Sequence, residues 1–351
     1  MTGCRVHRRR RRFKYQGFAG DSHMEIADMH CDTITEIGKR KKGGEDLSLF
    51  SNSLHLDLER MKKGGYVLQN FAIFTHLEKE KDPLAWCREM IRLFDREIGR
   101  FSDVIRPARS YEDIVRNKKE GKMSAVLTIE EGAVCQGDLS VLRELYQLGA
   151  RMMTMTWNFP NCLGWPNRRD EKTGKWYGDP VRGLTETGIM VLEEMEALGM
   201  IPDVSHLSDK GILDVLAHTK KPFAASHSNA RAVASHPRNL TDEMIRKISE
   251  RGGVIGVNFY SSFLRDWKEG EQPVSQVKDM VRHIRHMRQT GGIQCIGLGS
   301  DFDGFQEPME MDGPDKLVLL EHELHKEGFR ESEIEAVFSG NVMRLYKETL
   351  Q

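Results

Sequence analysis

No stretch of this chain approaches the ~18–20 consecutive apolar residues that a membrane-spanning helix needs. Cysteine is scarce: Cys4, Cys31, Cys87, Cys135, Cys162 and Cys295 form no CxxC pair. That spacing argues against a zinc ribbon or a disulfide scaffold and predicts a reducing, cytoplasmic setting. GxGxxG and P-loop motifs are missing too, so the usual nucleotide-binding classes have no foothold. Neither sign of charge dominates, with 52 Lys and Arg against 53 Asp and Glu. The balance hides one local excess. Residues 1–24 carry Arg5, Arg8 to Arg12 and Lys14 against Asp21, a net +6 that leaves −7 for the rest of a chain totalling −1. No apolar region follows the arginines, so they do not read as a secretory leader. We expect a disordered basic tail over 1–23, then a single domain over 24–351.

What is present is a repeated unit: a helical stretch closes on glycine, and a short Val/Ile/Met/Phe-rich run follows. It recurs at 62–74, 121–130, 148–158, 198–206, 251–260 and 290–304, and with Lys-Pro as punctuation at 220–228. Glycine is the usual left-handed helix terminator, and buried parallel strands read as short continuous apolar runs. Adding "MEIADMH" (24–30) makes eight. Between them, Val191 and Met195 share one helical face, and Thr241 is a candidate N-cap for the helix that ends at Gly252 and Gly253. Strands alternating with helices, without a shift in composition, predict an α/β fold, a single-domain (β/α)8 TIM-type barrel; a doubly wound open sheet is the alternative.

The chemically capable residues fall at one point of this repeat, the carboxyl end of each strand. They are His30 and Asp32, Glu130, Trp157 with Asn158, His206, His227, Asn258 with Tyr260, and Asp301. In a barrel those ends surround one mouth, where active sites are built. Alone, the His-x-Asp of "MHCDTI" is common by chance. Three histidines and three carboxylates converging there are hard to explain as core packing, because buried charge is costly unless paired or metal-bound. Imidazole with carboxylate and no thiolate suits zinc, and leaves cobalt, manganese or iron open. The set exceeds one catalytic zinc's needs and fits two ions sharing a carboxylate, with Asp301 left as proton carrier. Cys31 would point away from its neighbours on an extended segment and reads as packing. Cys162 sits in a loop, Asp303 of "DFDG" reads as structural, and histidines 55, 76, 218, 236, 283, 286, 322 and 325 read as solvated.

Nine motifs in order, among them "DMHCDTI", "TIEEGA", "PDVSHLSD", "ASHSNAR", "HPRNLTD" and "GSDFDG", make residues 24–347 resemble the membrane dipeptidase (renal dipeptidase) family of the metal-dependent amidohydrolase superfamily. The resemblance implies a (β/α)8 barrel and a binuclear zinc dipeptidase working through a metal-bridging hydroxide. His30, Asp32 and Glu130 would hold one Zn2+, and Glu130, His206 and His227 the other. Asp301 matches the acid/base aspartate, Arg238 the arginine that receives the substrate's free carboxylate, and Tyr260 a pocket tyrosine. Tolerance for a C-terminal D-residue is implied as well. The pattern breaks at Trp157, where animal members carry a histidine near the scissile carbonyl; here Trp157 and Asn158 would meet the substrate. It breaks again at "YKETLQ", which lacks the hydrophobic tail of the anchored members, so we expect no membrane anchor. The expected partner is a small dipeptide, with assembly as a homodimer left open.

Two rivals stand. One is another amidohydrolase-type reaction on a lactone, phosphoester or cyclic amide. The other is a non-catalytic metal- or nucleic-acid-binding protein using the arginine run; an acidic body speaks against it, and we expect no nucleic-acid partner.

Overall fold

A computed structural model describes residues 24–350 apart from 170, 171 and 174, so the basic segment 1–23 lies outside the described residues. Eight parallel strands form the sheet that matters: β1 (Ile26–Asp28), β2 (Tyr66–Phe74), β3 (Met123–Glu130), β4 (Ala150–Thr154), β5 (Ile201–Asp203), β6 (Ala224–Ala225), β7 (Val254–Val257) and β8 (Ile296–Leu298). Each pairs with its neighbour in the chain, and Asp28 opposite Leu298 joins β8 back to β1. The sheet is therefore a closed (β/α)8 barrel; the open-sheet alternative falls. Helices between the strands turn apolar stripes inward. In Glu186–Leu198, Val191 and Met195 are fully buried, and Thr241 caps Asp242–Glu250 by accepting from the Met244 N–H.

Two features lie outside the eightfold repeat. A short strand, Ile105–Pro107, pairs with Met123–Ala125, alongside the amino-terminal part of β3 before β4 begins. Its three residues end in proline, which removes a ladder donor and hides the strand from any pattern of apolar runs. The second is a small antiparallel hairpin, Arg168–Arg169 with Trp176–Tyr177, in the β4 loop.

The amino-terminal end of the barrel is closed by the final helix, Asn341–Thr349. Its buried Tyr346 packs with Leu68, Val126 and Met152 and donates its hydroxyl to Asn70 Oδ1 at 2.6 Å. The carboxyl-terminal end stays open, and two glycines shape it. A Cβ at Gly256 or Gly299 would meet the Ser226 carbonyl oxygen at 2.0 or 1.8 Å, so only glycine lets the chain beside His227 sit this deep.

Candidate metal centre and its pocket

Glu130 is the last residue of β3. Apart from Arg238, far along the loop after β6, the other candidate residues come one to four residues beyond a strand end rather than within it, as His30 after Asp28 and Asp301 after Leu298 show. Strand pairing alone does not fix such positions, so the loops carry their own supports. Asp28 Oδ1 accepts from His30 N at 3.1 Å and Ser300 N at 3.0 Å, tying the first loop to the last. His206, Asp301, Asp303 and Glu131 all adopt positive φ, from 60° to 84°. Such conformations cost about 1–3 kcal/mol each and persist where surroundings over-determine them.

The convergence expected of the strand ends is real. His206 Nε2 lies 3.1 Å from Glu130 Oε1 and His227 Nε2 lies 3.8 Å from it. On the other side, His30 Nε2 is 3.5 Å from Asp32 Oδ2, 3.6 Å from Glu130 Oε2 and 3.9 Å from Asp301 Oδ1. One carboxylate thus faces both halves of the cluster.

These contacts make poor sense as a closed hydrogen-bond network. His206 Nδ1 donates to Asn158 Oδ1 at 2.8 Å. His227 Nδ1 donates to Ser226 Oγ at 2.8 Å, because that hydroxyl gives its own proton to Asp203. Both rings then present bare Nε2 lone pairs, and these face each other at 2.9 Å. His30 Nε2 is buried without a hydrogen-bond partner among the described residues. Burial, with Arg238 nearby, lowers His206 to about 3, and burial also holds His227 well below the usual imidazole range, so both rings are neutral. For His30, burial works the same way but is outweighed by Glu130 and Asp32, which raise it. Opposed lone pairs beside buried carboxylates are what a cation would reconcile. Glu130, His206 and His227 offer donor atoms within 4.8 Å of one another, as do His30, Asp32 and Asp301. Ligands about 2.0–2.2 Å from a shared ion meet that spacing.

Asp203, which the strand-end pattern did not single out, forms a third such group with His30 and His227. Its oxygens already accept from Ser205 N, Ser226 N and Ser226 Oγ, so it orients His227 through Ser226. Asn158 supports His206 in the same way as well as lining the pocket. Asn158→Ala is expected to weaken metal binding about 10–100-fold, readable by competition against a chromogenic chelator.

A cleft of about 420 Å³ opens above the cluster, at the small end of the usual range for small-molecule sites. Asp32, Glu130, His206 and Asp301 reach it, together with the substrate candidates Trp157, Asn158, Arg238 and Tyr260. His30 and His227, 2% and 1% exposed, do not line it. Phe74 stands 4.8 Å from the Trp157 ring and Phe305 stands 5.3 Å from Tyr260, giving two aromatic walls. Arg238 is 6% exposed, its Nε has no hydrogen-bond partner, and no described carboxylate comes within 4.0 Å of it. Burial lowers it to about 10, still fully cationic at neutral pH. Asn258 Nδ2 donates to Asp301 Oδ2 at 3.0 Å, leaving Oδ1 toward the cluster. Burial, reinforced by Asp32 and Glu130, pushes Asp301 up to about 8. A cleft of similar size against the helix Val277–Gly291 is lined by Arg265, Arg282, Arg285, Glu323 and Glu327 and holds no such donor set.

Several residues differ from expectation. His283 is fully buried rather than solvated: it accepts from Ala230 N and donates to Leu264 O, each at 3.0 Å, pinning the β6 and β7 loops together. His236 accepts from Arg238 N at 3.1 Å, and His76 packs 5.1 Å from Trp157; both are half-buried, as are His55 and His286. Their positions in loops and helices gave no sign of this. Glu131 is buried and accepts from Trp157 N, Ala133 N and Asn161 Nδ2, which anchors the Trp157 loop. Asp303 accepts from Thr33 Oγ1 and His55 N, each at 2.6 Å. Cys31 is buried with its thiol on Asn70 O, and Cys162 is exposed outside the cleft.

Comparison with known proteins agrees with this geometry. Residues 21–351 match the family model described as membrane dipeptidase, peptidase family M19. An uncharacterized dipeptidase of Schizosaccharomyces pombe is 31% identical over 344 residues, covering 93% of this chain and 81% of that protein. A Klebsiella pneumoniae protein from the pqqA 5' region is 31% identical, over 77% of this chain and 98% of its own. Among solved structures, the metallopeptidase dipeptidase AC of family M19 superposes with a TM-score of 0.84 at 26% identity, over 94% of this chain and 99% of its own. A Rhodobacter sphaeroides metallopeptidase bound to a phosphinate mimic of L-Ala-D-Ala gives 0.83 at 25%, over 93% and 100%. By its family model over nearly the whole chain and by its sequence relatives, this chain belongs to the membrane dipeptidase family, peptidase family M19.

Proposed function

We propose that the protein is a binuclear zinc dipeptidase, with His30, Asp32 and Glu130 holding one ion and Glu130, His206 and His227 the other. The observation that carries this reading is Arg238: a buried, unneutralised guanidinium facing the same small cleft as the nitrogen–oxygen ligand cluster. Its planar fork suits a carboxylate held bidentately. A chain whose free carboxylate must reach Arg238 while its amide lies over the cluster is short, which selects dipeptides. The phosphinate dipeptide mimic bound by the Rhodobacter sphaeroides relative supports the same substrate class and an accepted C-terminal D-residue.

The bound ions would supply an acidified water and a polarised carbonyl. The chain's own groups do the rest. Arg238 fixes the C-terminal carboxylate, and the Phe74–Trp157 and Tyr260–Phe305 walls exclude water. Asn258 aims Asp301, which takes the proton of the attacking water and delivers it to the leaving nitrogen. The new C–O bond replaces the C–N bond, and two amino acids leave.

A panel tests this reading: free L,L- and L,D-dipeptides, the same dipeptides amidated at the C-terminus, a lactone and a phosphotriester. Release from free dipeptides alone is the expected result. Turnover of the lactone or phosphotriester with the dipeptides untouched would transfer the site to the other amidohydrolase chemistry.

A further inference from the structure

We propose that Lys39 makes this site favour dipeptides whose amino-terminal residue carries an acidic side chain; this rests on the dipeptidase reading. Lys39 lies on the helix Thr33–Lys42, which begins directly after the candidate ligand Asp32, so the ligand loop fixes its place at the mouth. Among the described residues lining the cleft it is the one cation besides Arg238. Its Nζ stands 5.4 Å from the centroid of Phe74, the last residue of β2. The nearest carboxylate, Glu36, is 4.0 Å away and is engaged by Arg40 at 2.9 Å, which leaves the Lys39 charge largely available.

The two cations stand on opposite sides. Arg238 follows β6, whereas Lys39 lies on the helix after β1 and stands over Phe74 at the end of β2; in a ring of eight, β1 is three strands from β6 and β2 is four. A dipeptide anchored on Arg238 by its C-terminal carboxylate, with its amide over the cluster, sends its amino-terminal side chain toward the Lys39 wall. A Glu side chain there lays its methylenes along Phe74 and Trp157 and brings its carboxylate to Nζ. A Lys side chain meets like charge at the same spot. The Lys39 side chain is 49% exposed, so solvent screening limits the discrimination to ~3- to 10-fold between acidic and neutral side chains.

The test measures kcat/KM for Glu-Ala, Gln-Ala and Lys-Ala at low and high salt, in the zinc-loaded wild type, Lys39→Met and Lys39→Glu. Ratios between substrates are the readout, so a general loss of activity in a variant cancels. The expected wild-type order is Glu-Ala over Gln-Ala over Lys-Ala, compressed by salt, levelled in Lys39→Met and inverted in Lys39→Glu. Ratios that are the same in all three proteins overturn the role of Lys39 while leaving the dipeptidase reading intact. Failure of every protein to cleave any of the three dipeptides overturns both.

Discussion

Asp301→Asn is expected to lower kcat on a free dipeptide by about 10²–10⁴-fold while the protein keeps its metal and its KM within a few-fold. The substitution keeps the shape of the side chain and its contact with Asn258, and removes only the ability to carry a proton. Separating kcat from metal content matters here because Asp301 Oδ1 is 3.9 Å from His30 Nε2, not far outside the distances of Asp32 and Glu130. If Asp301 is the proton carrier, the metal-to-protein ratio by elemental analysis stays at the wild-type value and turnover collapses. A ligand role would instead strip an ion from the variant in step with activity.

Arg238→Ala is the second large effect. Removing one partner of a buried, hydrogen-bonded charge pair costs about 2–5 kcal/mol, which corresponds to about 30- to 4,000-fold in kcat/KM. Binding of the substrate carboxylate precedes and persists through the reaction, so most of the loss should appear in KM. Arg238→Lys is expected to recover only part of it, since an ammonium lacks the two-pronged geometry. The C-terminally amidated dipeptide supplies the control. It should be a poor substrate for the wild type and should lose little more on Arg238→Ala. Equal losses on the free and amidated substrates would remove Arg238 from carboxylate recognition.

Much of this architecture was legible because the barrel repeats itself. Buried parallel strands must be apolar on both faces, so runs such as "AVLTIE" announce themselves, and His30, Glu130, His206, His227 and Asp301 recur after them. The composite pattern carried information that no single motif held. What escaped was whatever depends on contacts between loops distant in sequence. His283 sits in the middle of a helix and reads as a solvated residue, yet it joins Ala230 to Leu264 across the barrel rim. Asp203 orients His227 from 24 positions away through Ser226, and Glu131 holds the Trp157 loop, neither with a local signature. The strand Ile105–Pro107 was hidden by its length and its proline. Lys39 illustrates the same limit: on a helix it looks like ordinary surface charge, and only the barrel puts it opposite Arg238.

In the proposed mechanism Glu130 is shared by two ions on which hydrolysis depends. The most direct measurement is a zinc titration of chelated, metal-free protein, with release of amino acids from a neutral dipeptide followed at each addition. A shared Glu130 predicts no release without metal and a rise that levels at two equivalents of zinc per chain in the wild type, with Glu130→Ala inactive throughout. Undiminished hydrolysis by the metal-free protein, or full activity in Glu130→Ala, would contradict it.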